Sequence, residues 1–421
     1  MSNSFSSTHP RLAMLDLFGG TSLNTTLSLL REQQYMSFQD LCKIQEAGLE
    51  RIFNIATSST TFYKHAASYE ALEVLTKDAI RTNFKDFISN SYTKKLYNKG
   101  TGGSTGIPLV YLTTADARSY LWAGIFLSWE AAGYKLGDRV AFIAGTSIVK
   151  SSIRHFAFYQ IMNIDVYSAF TLDDFSIQQY IKRIQQSKTK FIYGYSSALN
   201  LIADYIKRSG SFDFPHLKSI VSTAEILTEV MRNNISSAFN VEVFNQYGCN
   251  EAGVSAFECE HKKMHLINTR SYFEIDGESN FISTDLVNEG FIMLKYLTGD
   301  RIRFSEEQQC LCGRNFPIIG DIIGRSFDVV KDTKNNMLHS SFFSILFRGD
   351  PFIRQFQIQY DNRDISIYLN VDPLRSEKTY YEKYVEMIKQ RLCFDHYNLI
   401  INAPFISAAN AKYRHVINTA I

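Results

Sequence analysis

Tyr97–Thr113 reads YNKGTGGSTGIPLVYLT, with four glycines between Gly100 and Gly106 and the hydroxyls of Thr101, Ser104 and Thr105 among them. Glycine loses more conformational freedom on folding than any other residue, so a run this dense needs a compensating task. A Walker-type phosphate loop requires a lysine directly after its second glycine. Here Ile107 follows Gly106, and the nearest preceding lysine, Lys99, stands before the loop. What remains is a set of backbone N–H groups and hydroxyls suited to wrapping a polyphosphate where a Cβ would collide, or else a flexible surface loop. On these residues alone both readings stay open.

The text on either side of that loop sets the fold. Before it the chain is helical in pattern, as in FQDLCKIQEAGLERIFNIA. After it, short β-branched or aromatic runs (RVAFIAG from Arg139, IDVYSAF from Ile164, KFIYGY from Lys190, SIVSTAE from Ser219) alternate with segments of helical spacing such as SALNLIADYIKR. Such alternation predicts βαβ crossovers and a largely parallel sheet. Beyond about Gly253 the text turns β-rich, and from Phe327 a strand, a helix, the pair FQIQY and ISIYLNV around Asp361–Asp364 and a further helix predict a separate α+β module. The expected architecture is α/β. A large N-terminal domain, 1–326, carries mixed and parallel sheets, and a small C-terminal α+β domain occupies 327–421.

Composition limits the function classes. With 421 residues, 45% of them hydrophobic, the chain can bury more than one core. Lys and Arg number 44 against 42 Asp and Glu, a net charge of +2, so no global field draws the protein to nucleic acid or to an anionic membrane. No run approaches the roughly 18 apolar residues of a membrane span, and the start lacks a signal-like pattern. A cytoplasmic protein without membrane insertion is expected. Six cysteines are too few for a disulfide framework, and in a reducing compartment clustered ones point to metal.

Four more stretches follow the glycine loop in a fixed order: STAEIL (222–227), NQYGCNEAG (245–253), YLTGD (296–300) and IIGRSFD (322–328). Together with the loop they resemble the phosphate loop, the adenine-side segment, the Tyr-Gly-x-Thr-Glu motif and the ribose-binding aspartate and arginine segments of the adenylate-forming superfamily of acyl-CoA synthetases and adenylation enzymes. LWAGIFLSWEAAGYKLGDRVAF, FIYGYSSAL and FQIQYDNRDISIYL look most like its phenylacetate-CoA ligase branch, and within it the CapK-like subgroup. The terminal SAANAKYRHVIN is similar to the family's closing Gly-Lys-x-x-Arg segment, with Ala411 in the glycine position.

The resemblance implies an ATP-dependent ligase that lets a carboxylate attack the α-phosphate, giving an acyl-AMP and pyrophosphate. Thr101, Gly102, Gly103, Ser104, Thr105 and Gly106 would hold the β- and γ-phosphates. Ala224 and Glu225 would flank the adenine, with Gln246, Tyr247, Gly248 and Asn250 beside them. Glu251 would bind Mg²⁺, a hard cation that prefers carboxylate and water. Asp300 would accept from the ribose hydroxyls and Arg325 donate nearby. Lys412, from a mobile small domain, would stabilise transition-state charge beside the α-phosphate. Asn250 stands where a hydroxyl residue is usual, and Phe327 where the hinge usually carries Asp or Lys.

Cys259-x5-His265 and Cys310-x-Cys312 offer three thiolates and one imidazole, a set suited to tetrahedral Zn²⁺, with His261 as the rival histidine. The branch resembled often carries such a structural site. Trp122, His155, Tyr159 and Tyr193 would line an acyl pocket, whose aromatic walls favour a flat acid; their alternative role is core packing. The expected partners are ATP, a small carboxylic acid and an amine, CoA or other thiol acceptor, and a homodimer is a compatible assembly. Two other readings stay open: an aryl- or acyl-CoA ligase, and a nucleotide-binding relative without catalysis.

Overall fold

The computed structural model describes residues 9–420 except 101–108, 145–152, 170–171, 173, 211, 226, 326–328, 335, 340–341, 344–345, 348–349, 351 and 406–415. Two compact units divide the chain, one running to Gly324 and the other opening at Arg325.

The first unit begins with helices α1 (Pro10–Gly19), α2 (Leu23–Gln33), α3 (Phe38–Ser59) and α4 (Lys77–Thr82). Helix α3 starts at Ser37, whose hydroxyl accepts from the Asp40 N–H and so satisfies one free donor of the first turn. Strands β1 (Tyr97–Gly100) and β2 (Val110–Thr113) then pair antiparallel, with Lys99 opposite Tyr111. The two strands bracket the glycine-rich stretch. Helix α5 (Ala115–Ala131) follows, capped by Thr114, and it is buried along most of its second half because it has no polar face there.

Next come β3 (Val140–Ala144), α6 (Ile153–Ile161), β4 (Ile164–Ser168), α7 (Asp174–Gln186), β5 (Phe191–Tyr195), α8 (Ser196–Ser209), β6 (Ser219–Thr223), α9 (Glu229–Phe239) and β7 (Glu242–Cys249). Strands β3 to β7 pair in parallel in the order β4-β3-β5-β6-β7. This is the arrangement expected from the alternating text. The order reverses at β3, and in open parallel sheets such a reversal opens a crevice beyond the carboxyl ends of the strands.

From β7 onward the pairing turns antiparallel, through β8 (Val254–Glu258), β9 (Met264–Leu266), β10 (Ser271–Ile275), β11 (Asn280–Asp285), β12 (Tyr296–Phe304) and β13 (Ile318–Arg325). All of these join the parallel strands in one sheet of order β10-β11-β12-β13-β9-β8-β7-β6-β5-β3-β4. The change falls at Val254, where the text turns β-rich.

The second unit holds the pair β14 (Val329–Lys331) and β15 (Met337–His339), then β16 (Ile353–Tyr360), β17 (Asp364–Val371), α10 (Lys378–Lys389), β18 (His396–Ile401) and β19 (Val416–Asn418). Its four-stranded sheet runs β18-β17-β16-β19. The β16–β17 turn is closed by Asp361, whose carboxylate accepts from the N–H groups of Arg363 and Asp364 at 2.7 Å each. Helix α10 contributes Tyr381, Tyr384, Val385 and Ile388 to a core shared with Ile358, Ile365, Ile367 and Leu369.

Candidate functional site

The parallel strands end in a row of polar groups. Tyr193, near the end of β5, donates to Gln246 Oε1 on β7 at 2.6 Å, with Thr223 Oγ1 of β6 at 3.3 Å. Burial pushes this phenol up, and the Thr223 hydrogen bond pulls against that. Beyond Thr223 the chain enters a left-handed conformation at Ala224, φ 66°. A side chain with a Cβ pays for that geometry, so something must hold it there. Part of the hold is Ser196 at the start of α8, whose hydroxyl lies 2.6 Å from Ser222 Oγ and donates to the Glu225 carbonyl at 3.2 Å.

The end of β7 carries the next group. After Cys249 the chain makes a 3-10 turn, Asn250–Ala252, closed by Gly253 at φ 70°. Ser283 of β11 donates to the Ala252 carbonyl at 2.9 Å. Gly253 is required for a second reason, because a Cβ there would lie 2.6 Å from Asp285 Cγ. The turn presents Glu251, only 7% exposed, whose carboxylate has no hydrogen-bond or ion-pair partner among the described residues. A buried carboxylate in that state calls for a cation. A carboxylate so placed suits a magnesium ion, which Glu251 would hold. Neighbouring Tyr247 donates to Asp300 Oδ2 at 2.8 Å, and the Asp300 N–H donates to Thr298 Oγ1 at 3.1 Å. Gln246, Tyr247, Glu251 and Asp300 are thus positioned by β7, its turn and β12, while Gly248 and Asn250 are exposed along the same edge.

Cys259, His265, Cys310 and Cys312 converge, with their ligand atoms within 4.8 Å of one another. Cys259 Sγ lies 3.6 Å from Cys310 Sγ, and Cys312 Sγ lies 3.3 Å from His265 Nε2. Tetrahedral zinc with Zn–S of about 2.3 Å and Zn–N of about 2.0 Å sets sulfur–sulfur spacings near 3.8 Å and sulfur–nitrogen spacings near 3.5 Å, so the cluster has the right size. His265 Nδ1 is 3.2 Å from the Phe316 carbonyl, which can only accept. That contact puts the proton on Nδ1 and leaves the Nε2 lone pair facing the sulfurs. Burial, the largest influence, lowers the His265 pKa and keeps the ring neutral. Burial also pushes the Cys259 thiol up to about 12 and raises Cys310. At Cys312 burial is outweighed by hydrogen bonds from Arg314, which hold that thiol down. His261 contributes its backbone N–H to Cys259 Sγ at 3.4 Å.

Trp122, Tyr159 and Tyr193 belong to one aromatic group that also holds Phe126, Trp129, Phe142 and Phe158. Trp122 and Phe158 are 4.4 Å apart by ring centroids, and Phe142 and Tyr193 are 4.9 Å apart. Tyr159 and Tyr193 are buried in it, while Trp122 keeps partial exposure. His155 lies on α6 and Arg325 closes β13, and the side chains of both are outside the described set. Thr101, Gly102, Gly103, Ser104, Thr105, Gly106 and Lys412 lie outside the described residues. Lys99 and Tyr111 were given no role by the sequence, yet they stand opposite each other across the β1–β2 pair, and Tyr111 lies near enough to Glu251 to sense its charge. Burial raises the Tyr111 phenol, and the Glu251 and Cys249 charges add to the rise while Arg270 opposes it. The signal available in the sequence was the alternation of Tyr97 and Lys99, which puts both on one face of β1.

No protein-family model matches the chain. Protein CapK from Staphylococcus aureus is 26% identical over 407 residues, 90% of this chain and 89% of that protein. A phenylacetate-coenzyme A ligase from Thermus thermophilus is 27% identical over 179 residues, 39% of this chain and 40% of that one. A 2-hydroxyisobutyryl-CoA ligase solved in the postadenylation state with 2-HIB-AMP shares the fold, with a TM-score of 0.64 at 16% identity over 92% of this chain and 91% of that chain. No helix among the described residues is long and apolar enough to cross a membrane. The motif order, the likeness to CapK along nearly the whole length and the shared fold agree: the chain is similar to CapK and has the fold of the 2-hydroxyisobutyryl-CoA ligase.

Proposed function

We propose that the protein is an ATP-dependent carboxylate ligase. A carboxylate oxygen attacks the α-phosphorus of ATP, the bond to the bridging oxygen breaks, and acyl-AMP and pyrophosphate form. An amine or thiol then attacks the acyl carbon and AMP leaves. The observation that carries this reading is Glu251, buried without a partner among the described residues in the turn after β7, in the same strand-and-turn segment as Tyr247, which pairs with Asp300. Glu251 would hold Mg²⁺, which when bound neutralises phosphate charge. Asp300, fixed in orientation by Tyr247, accepts from the ribose hydroxyls. The Ala224–Glu225 segment, held by Ser196, forms the adenine side.

In this reading the loop 101–106 cradles the β- and γ-phosphates, Gln246, Gly248, Asn250 and Arg325 complete the nucleotide site, and Trp122, His155, Tyr159 and Tyr193 bound the acid. Residues 327–421 form the mobile domain that brings Lys412 to the α-phosphate. Cys259, His265, Cys310 and Cys312 hold a structural Zn²⁺ that leaves no position for substrate. Thiols kept reduced and a demand for ATP suit a cytoplasmic setting.

The test is acid-dependent exchange of labelled pyrophosphate into ATP across a panel of carboxylic acids. Exchange is expected with a cognate acid, and comparing CoA with amines as the agent that releases AMP then names the acceptor. ATP binding without exchange for any acid would leave the noncatalytic reading standing. A second measurement addresses the ribose contact. Asp300→Ala is expected to weaken ATP binding about ten- to a hundredfold, since hydrogen bonds to a charged acceptor are the strong ones. Tyr247→Phe, which keeps the carboxylate, should cost much less. Unchanged affinity in Asp300→Ala would remove that residue from the site.

A further inference from the structure

Glu251 sits in the turn after β7 as a buried carboxylate with no partner among the described residues. Such a group gains by moving toward water or a donor, so the backbone that presents it has to be held. One segment, 283–290, does the holding. It leaves β11 beside that turn and ends against the junction between β2 and α5. At its start Ser283 donates to the Ala252 carbonyl at 2.9 Å. Asp285 then packs against Gly253, where an added Cβ would lie 2.6 Å from Asp285 Cγ and 2.9 Å from its Cα.

The far end is fixed as closely. Asn288, 3% exposed, accepts the Thr114 N–H at its Oδ1, 3.1 Å, and donates from Nδ2 to the Leu112 carbonyl at 2.9 Å. Leu112 lies in β2, and Thr114 caps α5. Turning the amide over would set donor against donor and acceptor against acceptor, and neither Asp nor Leu can serve both contacts. At Gly290 an added Cβ would collide with Leu96 and come within 3.0 Å of Thr114 Cγ2. Asp285 joins the two ends. Its Oδ1 accepts from the Val287 and Asn288 N–H groups at 2.9 and 3.3 Å, while Oδ2 is 3.9 Å from Arg270 Nη2. Between them Leu286 donates its N–H to the Arg270 carbonyl at 3.0 Å and accepts from Arg51 Nη2 at 2.6 Å, and Arg51 also pairs with Glu289.

We propose that Asp285 and Asn288 are positioning residues for the Glu251 carboxylate, fixing the turn after β7 to the junction of β2 and α5. This rests on the reading of Glu251 as the magnesium ligand and adds the residues that keep it in place. Asp285 fills the space beside Gly253 and closes the bend through 288. Asn288 then ties that bend to the last residues of β2 and the first turn of α5. Both oxygens of Asp285 and both ends of the Asn288 amide already face protein groups, so their part is to orient the ligand, and Glu251 alone is left to bind.

The experiment measures, by calorimetry on the full chain, how much Mg²⁺ tightens the binding of α,β-methylene-ATP, an analogue that cannot be cleaved at the α-phosphate. In wild type Mg²⁺ should tighten binding, and Glu251→Gln should remove most of that gain. Asp285→Ala and Asn288→Ala are each expected to cut the gain about tenfold while affinity without Mg²⁺ stays within about twofold, since a group that orients a metal ligand contributes about ten- to a hundredfold to metal affinity. Asp285→Asn, which keeps the shape and the Oδ1 acceptor, should restore most of the gain. Asn288→Asp, which loses the donor to Leu112, should not. A packing defect would weaken binding equally with and without Mg²⁺, and that result, or a full gain in both alanine variants, would overturn the proposal. Should the alanine variants not fold, Ser283→Ala removes a single hydrogen bond from the turn and is expected to lower the gain about threefold, and an unchanged gain there would overturn it too. If Glu251→Gln keeps the full gain, the magnesium reading falls and the positioning role with it. If Glu251→Gln loses the gain and Asp285→Ala keeps it, the positioning role falls alone.

Discussion

Cys312→Ser protein is expected to purify without its metal and to unfold about 4–5 °C below wild type, the shift corresponding to a loss of about 3 kcal/mol in a unit of this size. The cluster joins the turn after β8 to the segment between β12 and β13, so removing one ligand releases two stretches remote in sequence. Serine keeps the size of the side chain and removes the soft donor, which separates metal loss from a packing defect. The wild type should carry about one equivalent of zinc by elemental analysis, and a strong chelator should lower its melting temperature by a similar amount. Wild type that is free of metal and equally stable would overturn the assignment.

Lys412→Ala is expected to slow acyl-adenylate formation by about 10²–10³-fold while ATP affinity stays near wild type, because a contact made in the transition state sets rate more than binding. Chemically prepared acyl-AMP separates the two steps. Transfer from it to the acceptor should run at close to the wild-type rate if the lysine has moved away by then. An equal loss in both half-reactions would make Lys412 structural, and attention would pass to Phe327 at the expected hinge.

Local pattern carried much of the architecture. The parallel half was legible because β3, β5 and β6 are buried on nearly every residue, and such strands read as short apolar runs between amphipathic helices. The merging of β8–β13 with those strands into one sheet was not legible, since it depends on β9 pairing with β13 across more than fifty residues. At the Cys–His cluster, each Cys pair or Cys–His pair showed in its spacing, whereas the approach of Cys259 to Cys310 is a tertiary fact. Glu251 and Asp300 were visible as motif residues. That Tyr247 orients Asp300 depends on which side chains fold together and has no short-range signature.

The turn after β7 has one further consequence, for which substitutions it can absorb. Asn250 and Gly253 are three residues apart, yet they face opposite demands. At 253 any side chain meets both a left-handed backbone and the wall formed by Asp285, so alternatives are closed on two independent grounds. At 250 the residue is exposed and its side chain has no partner among the described residues. An amide or a hydroxyl can therefore stand at 250 without moving Glu251, whereas a change at 253 would have to displace Asp285.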